Sequence, residues 1–167
     1  MRLPKRARCP HCDRLFNRSA LDNHVIKCRA RRRVDGSHRE ISRSSTVIVD
    51  GNNVAYHLAP NGNPRVANLI LASRSLTRAG YRPIIVVSAA LIHSVDDPEA
   101  LQQMIDNRKV VQAARGTNDD LTIIRMAQRN NADVVSNDRF LDWRDRHPWL
   151  ASRLKRYRMT PSGIILV

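Results

Sequence analysis

From residue 45 onward, short apolar runs alternate with amphipathic stretches. Residues 46–49 (TVIV) and 84–87 (IIVV) are apolar throughout, and ADVVS at 132–136 has the same character. A weaker run, 109–113, could be another short strand. Between them, Val66, Leu69/Ile70, Ser73 and Leu76 recur at helical spacing over residues 65–79, and Gly80 follows as a stop. Residues 98–107 open on a proline and keep Leu101, Met104 and Ile105 on one side. Residues 118–130 place Leu121, Ile124 and Ala127 or Gln128 at helical intervals behind a Thr117 or Asn118 cap. DWRDRHPWLASRL is partly helical around Pro148, and RYRMT-PSG-IILV predicts a terminal hairpin or edge strand. Strands apolar on both faces and separated by helices predict an α/β fold: a mostly parallel sheet with helices on both faces. Trp143, Trp149 and Phe140 are expected in the core. No internal repeat is visible, and no apolar run approaches the ~20 residues of a membrane span.

The first 44 residues differ. They hold 13 of the 29 Lys/Arg and only 4 of the 15 Asp/Glu, which marks a boundary near residue 44. The net charge of +14 is mostly arginine, whose guanidinium matches phosphate oxygens in pairs; nucleic acid is the expected partner. The bland alternative is a solvated basic surface. All three cysteines lie within residues 9–28, in CPHCDRLFNRSALDNHVIKC. A tight cluster with no apolar leader before it argues for metal in a reducing compartment (cytoplasm, or nucleus in a eukaryote) over disulfides. Cys9 and Cys12 are two residues apart in a knuckle, and His24 and Cys28 share a helix face one turn apart. Tetrahedral zinc needs that convergence, and four protein ligands make the site structural. Phe16 and Leu21 would form the small core the metal completes; His11 is read as a bystander. The stretch resembles zinc fingers with a Cys-Cys-His-Cys ligand set, which contact nucleic acid or protein; the sequence leaves that choice open. The expected organisation is a finger over 1–30, a basic linker over 31–44 with Arg31, Arg32 and Arg33 as phosphate contacts, and the α/β domain over 45–167.

VIVDGNNVAYH at 47–57 carries the candidate chemistry. A buried-looking strand runs into Asp50, and a buried carboxylate is costly unless something pairs with it. Asp119 and Asp120 open a helix, Asp138 follows the strand ADVVS, and Asp142 lies four residues further on. In open α/β sheets sites form outside the carboxyl ends of the strands, so these carboxylates are expected to converge. Convergent carboxylates take up protons or bind a hard cation such as Mg²⁺ or Mn²⁺, which can engage a phosphodiester. Taken singly, each has a plainer reading: a helix-dipole complement, a turn cap, a loop residue.

VIVDGNNVA followed by NDDLTIIRMAQRNNADVVSNDRFLDW resembles the NYN branch of PIN-like ribonucleases, especially the Regnase type, in order and spacing over nearly all of residues 45–167. The resemblance implies a Rossmann-like, magnesium- or manganese-dependent endoribonuclease acting on single-stranded RNA. Asp50, Asp119, Asp120 and Asp138 would form the acidic metal site, with Asn53 orienting Asp50 or the substrate and Asp142 as the outer acidic position. Arg115, Arg125 and Arg139 lie near the motifs and are candidate phosphate contacts, and Lys155, Arg156 and Arg158 could extend the groove. PIN-like domains often pair, so a homodimer is open. The chain departs from the family in its leading finger, in a loose match over residues 55–110, and in RGTN at 115–118. The rival readings are an RNA-binding PIN-like module that does not cut, a DNA-directed nuclease, and a protein-binding scaffold.

Overall fold

The computed structural model describes residues 6–10, 14–35 and 45–167, with backbone alone at residues 29–35 and 60. The N-terminal module pairs β1 (Arg6–Arg8) with β2 (Leu15–Asn17) in an antiparallel hairpin, followed by α1 (Arg18–Asp35). The basic stretch expected to be a linker from residue 31 therefore begins as helix. Arginine and alanine are good helix formers, so a composition that reads as a spacer propagates a helix already begun. The rest of that stretch, 36–44, lies outside the described residues.

The α/β unit starts at β3 (Thr46–Asp50), which passes directly into a single-turn helix, α2 (Gly51–Ala55). Then come α3 (Val66–Arg78), β4 (Arg82–Val87), α4 (Pro98–Asp106), β5 (Val110–Gln112), α5 (Asp119–Asn130) and β6 (Asp133–Val135). α6 (Leu150–Arg153) leads into a two-residue strand, β7 (Leu154–Lys155), and the chain closes on a hairpin of β8 (Tyr157–Thr160) and β9 (Gly163–Leu166). The sheet order is β5-β4-β3-β6-β7, all parallel. β7 was not expected: a pair of residues is too short to carry any periodicity.

Both faces of the sheet are covered, which is why its strands read as continuous apolar runs. Val47, Val49, Ile85 and Val87 pack into one core with Leu69, Ala72 and Leu76 of α3. Ile48, Val86 and Val134 pack into the other with Ile123, Ile124 and Ala127 of α5. Phe140 is fully buried in this second core, with Trp143 and Trp149 half-buried against it, as expected for core residues. Among the described residues, no helix is long and apolar enough to cross a membrane.

Two features of this frame fix the site. β3 sits at the centre, with the chain crossing to β4 on one side and to β6 on the other, so the carboxyl ends of β3 and β6 flank the point where the strand order reverses. Residue 51 must be glycine for the strand to turn at once into a helix there. A Cβ on Gly51 would come within 2.5 Å of Val87 Cγ1 and 2.6 Å of the Val86 carbonyl oxygen, contacts that packing does not tolerate.

Candidate active site

At the end of β3, Asp50 is only 6% exposed. One carboxylate oxygen caps α2 by accepting from Asn53 N at 3.0 Å; the other accepts from the Ser136 hydroxyl at 2.7 Å. Ser136 Oγ accepts in turn from Asp138 N (3.0 Å), so one hydroxyl ties the ends of β3 and β6 together. Asp138 turns its own Oδ1 back to Phe140 N (2.7 Å), the side chain-to-backbone closure typical of aspartate in a tight turn. That turn holds Phe140 in the left-handed region, at φ 49°.

The two asparagines of α2 act as brackets. Asn52 accepts from Ser88 N (3.1 Å) and donates to Asp119 Oδ2 (2.7 Å), which joins α2, the end of β4 and the start of α5. Asn53 Oδ1 accepts from Asn137 N (3.0 Å) and from the Tyr157 hydroxyl (2.9 Å). Asn137 then clamps the Tyr157 backbone at both its N–H and its carbonyl. On the far side, Asn118 caps α5 and places Asp119 and Asp120 in its first turn, where Trp143 Nε1 donates to Asp120 Oδ2 at 3.3 Å.

These elements enclose an open crevice of about 500 Å³. Asp50, Asp119, Asp120 and Asp138 line it, with Asn52, Asn53 and Asn137 and a wall of Tyr56, His57 and Leu58. Asp142 is exposed and outside the lining, yet close enough to raise Asp120. Arg115, Arg125 and Arg139 are exposed, and none lines the crevice. Among the described residues, no lysine or arginine lines it. Among the described residues, none of the four crevice carboxylates pairs with a cationic side chain.

The electrostatic consequence is direct. Burial pushes the Asp50 carboxyl up to about 6, with the Asp120 and Asp119 charges adding, while the Asn53 and Ser136 hydrogen bonds oppose the rise. Burial also raises Asp120, reinforced by Asp119, Asp138 and Asp142. The Tyr157 hydroxyl is raised too, by burial and then by the Asp50 charge, so it stays a donor to Asn53. No three of the crevice carboxylates bring oxygens within 4.8 Å of one another. A spacing of this kind fits a hard cation that keeps part of its water shell better than one fully caged by protein oxygens.

In the N-terminal module, ligand atoms of Cys9, His24 and Cys28 all lie within 4.8 Å of one another. Cys9 is buried, and the Phe16 ring stacks on His24 at 3.8 Å between centroids. Thiolate and imidazole donors are the set zinc takes. The fourth expected ligand, Cys12, lies outside the described residues, as do the side chains of Arg31, Arg32 and Arg33. The knuckle touches the α/β unit where Ser162 Oγ donates to the Pro10 carbonyl at 2.8 Å.

A carboxylate-lined crevice at the switch point of a parallel sheet defines a Rossmann-like domain with an acidic site. More particularly, the chain belongs to the Zc3h12a-like ribonuclease NYN domain family, whose profile matches residues 43–162. Membership supports an RNA-cleaving nuclease. No curated protein sequence matches. Among solved structures, the chain is similar to Arabidopsis thaliana nuclear protein-only RNase P 2 (PRORP2), at 19% identity and a TM-score of 0.61 over 89% of this chain and 34% of that one. A crystal structure of nuclear proteinaceous RNase P 2 (PRORP2) from A. thaliana matches at 17% identity and a TM-score of 0.55, over 98% of this chain and 40% of that one. The chain thus spans well under half the length of either, and at these identities the likeness shows the shared fold.

Asn52, Ser136, Asn137 and Tyr157, and the wall of Tyr56, His57 and Leu58, are residues of the site that sequence reasoning did not select. Asn52 and Asn137 each sit beside a candidate residue in the chain and Ser136 lies two from Asp138, a signal that was available. Tyr157 had none.

The raised Asp50 carboxyl has a measurable sign. Between pH about 4 and about 6 the folded protein holds a proton there that the unfolded chain has released, so this group's contribution to stability falls as pH rises through that window. In EDTA, the difference between wild type and Asp50→Asn in urea denaturation should therefore widen from pH 4 to pH 7, the variant gaining about 2–3 kcal/mol. A difference between the two proteins that stays constant from pH 4 to pH 7 would show that the charge is not held at a cost.

Proposed function

We propose that this protein is a magnesium- or manganese-dependent endoribonuclease that hydrolyses phosphodiester bonds in single-stranded RNA, with a zinc-stabilised N-terminal finger contributing to RNA binding. The observation that carries the reading is the buried Asp50 among three further carboxylates in a crevice that, among the described residues, no lysine or arginine lines. A site built this way stores an unmatched negative charge, and a divalent cation matches it. Asp50, Asp120 and Asp138 would hold the ion. Asp119, oriented by Asn52, and Asp142 on the rim would hold water in the outer sphere or a second ion. When bound, the cation supplies the positive charge that draws in a phosphodiester and lowers the pKa of an attacking water.

The remaining work belongs to the chain itself. Asn53 is a positioning residue on this reading: its backbone N–H is spent on Asp50, and its side-chain oxygen on Asn137 and Tyr157. Ser136 keeps Asp50 and Asp138 in register. Because no lysine or arginine among the described residues lines the crevice, these lining residues give phosphate no lysine or arginine ion pair. The net charge of +14, concentrated in the first 44 residues with Arg31, Arg32 and Arg33, would supply the longer-range attraction to RNA. Thiolate ligands at Cys9, Cys12 and Cys28 with His24 would place the protein in a reducing compartment.

The test is cleavage of an end-labelled single-stranded RNA in Mg²⁺ or Mn²⁺ against EDTA, with a DNA of the same sequence alongside. Cleavage should need the cation. It should fall by more than about a hundredfold in Asp138→Asn or Asp120→Asn, since even outer partners of metal sites cost 10–100-fold. Tight, salt-sensitive binding without cutting would favour a non-cleaving RNA-binding module instead. For the finger, purified protein should carry stoichiometric zinc that Cys9→Ser or His24→Ala releases; a chain with no zinc whose Cys9 variant melts like wild type would refute the zinc site.

A further inference from the structure

One part of the crevice has a chemistry that ion binding does not use. Tyr56, His57 and Leu58, the three residues after α2, line it beside the carboxylates. Val54 and Ala55, just before them, are fully buried, yet Tyr56 is 46% exposed and Leu58 is 81% exposed. Two large apolar side chains left in water at the rim of an acidic pocket contribute little to folding. Their backbone is nevertheless held firmly. Asn68 Nδ2 donates to the carbonyls of Val54 and His57 at 3.2 and 3.0 Å, and Leu58 is kept in the left-handed region at φ 49°, which leucine rarely adopts. The Tyr56 hydroxyl lies 3.3 Å from Ser94 Oγ, and the His57 ring packs on Tyr157 at 5.5 Å.

A preformed wall of this kind suits a flat, partly apolar group with a polarisable face. With no lysine or arginine among the described residues of the lining, these residues offer a substrate two things beyond hydrogen bonds to the asparagines: the charge at the carboxylates and this wall. We propose that Tyr56, with Leu58 beside it, is a stacking surface for one unpaired nucleobase adjoining the phosphate that is cut. The inference rests on the nuclease reading above and sharpens it. A base within a duplex keeps both faces in its own stack, so the wall admits only nucleotides free to turn outward. Stacking of this kind is tolerant of base identity, because every base has a π face.

The experiment measures kcat and KM for single-stranded RNA with the full-length protein and its Tyr56→Ala, Tyr56→Phe and Leu58→Ala variants. A second set of RNAs carries one abasic nucleotide on either side of the cleaved bond. Tyr56→Ala should raise KM by roughly 5- to 150-fold with kcat little changed, Leu58→Ala should raise it less, and Tyr56→Phe should behave as wild type. Removing the stacked base should cost the wild type a similar factor and cost Tyr56→Ala nothing further. The wall is refuted if Tyr56→Ala keeps the wild-type KM, if Tyr56→Phe fails like alanine, or if the abasic loss adds in full to the alanine loss. Failure of the wild type to cut RNA in either cation would instead overturn the nuclease reading and the wall with it.

Discussion

Asp50 ends the central strand of a fully covered parallel sheet, where a carboxylate has almost no water. Both of its oxygens are hydrogen-bonded, one by the first turn of α2 and the other by Ser136. Those two bonds stabilise the ionised form, but burial and the neighbouring aspartates outweigh them. The architecture around it follows from that imbalance. Gly51 lets α2 start against β4 without a clash, Asn52 reaches to α5, and Asn53 is locked by the terminal hairpin through Tyr157. Strands and helices far apart in sequence are thus fastened to the residues on either side of one costly charge.

The terminal hairpin has a clearer purpose in this light. β9 packs on α3, where Ser75 Oγ accepts from Ile164 N, while the start of β8 carries Tyr157 into the site. The hairpin turn also meets the N-terminal knuckle through Ser162 and Pro10. One element therefore touches the helix layer, the site and the N-terminal module.

Much of the frame was legible in the sequence because its strands are apolar on both faces and its helices carry caps that the chain displays: Asn118 before the aspartate pair, Pro98 at the first position of α4. The acidic set was legible because each aspartate lies at a strand end or a helix start. What was not legible depends on distance along the chain. Ser136 meets Asp50 across 86 residues, and Tyr157 meets Asn53 across 104; no local pattern encodes such pairs. Of the neighbours Asp138 and Arg139, only Asp138 lines the crevice. The helix over 31–35 was hidden by composition, since a run of arginines looks like solvated chain until a helix is already propagating into it.

On the proposed reading, the unmatched charge at Asp50 receives a divalent cation. Calorimetric titration of Mn²⁺ into the purified protein near pH 6, in buffers of different ionisation enthalpy, is the test. Saturable binding that releases protons in wild type, and that is lost in Asp50→Asn while zinc content stays the same, is the result this account predicts. Absence of saturable binding, or binding of equal strength in the variant, would contradict it.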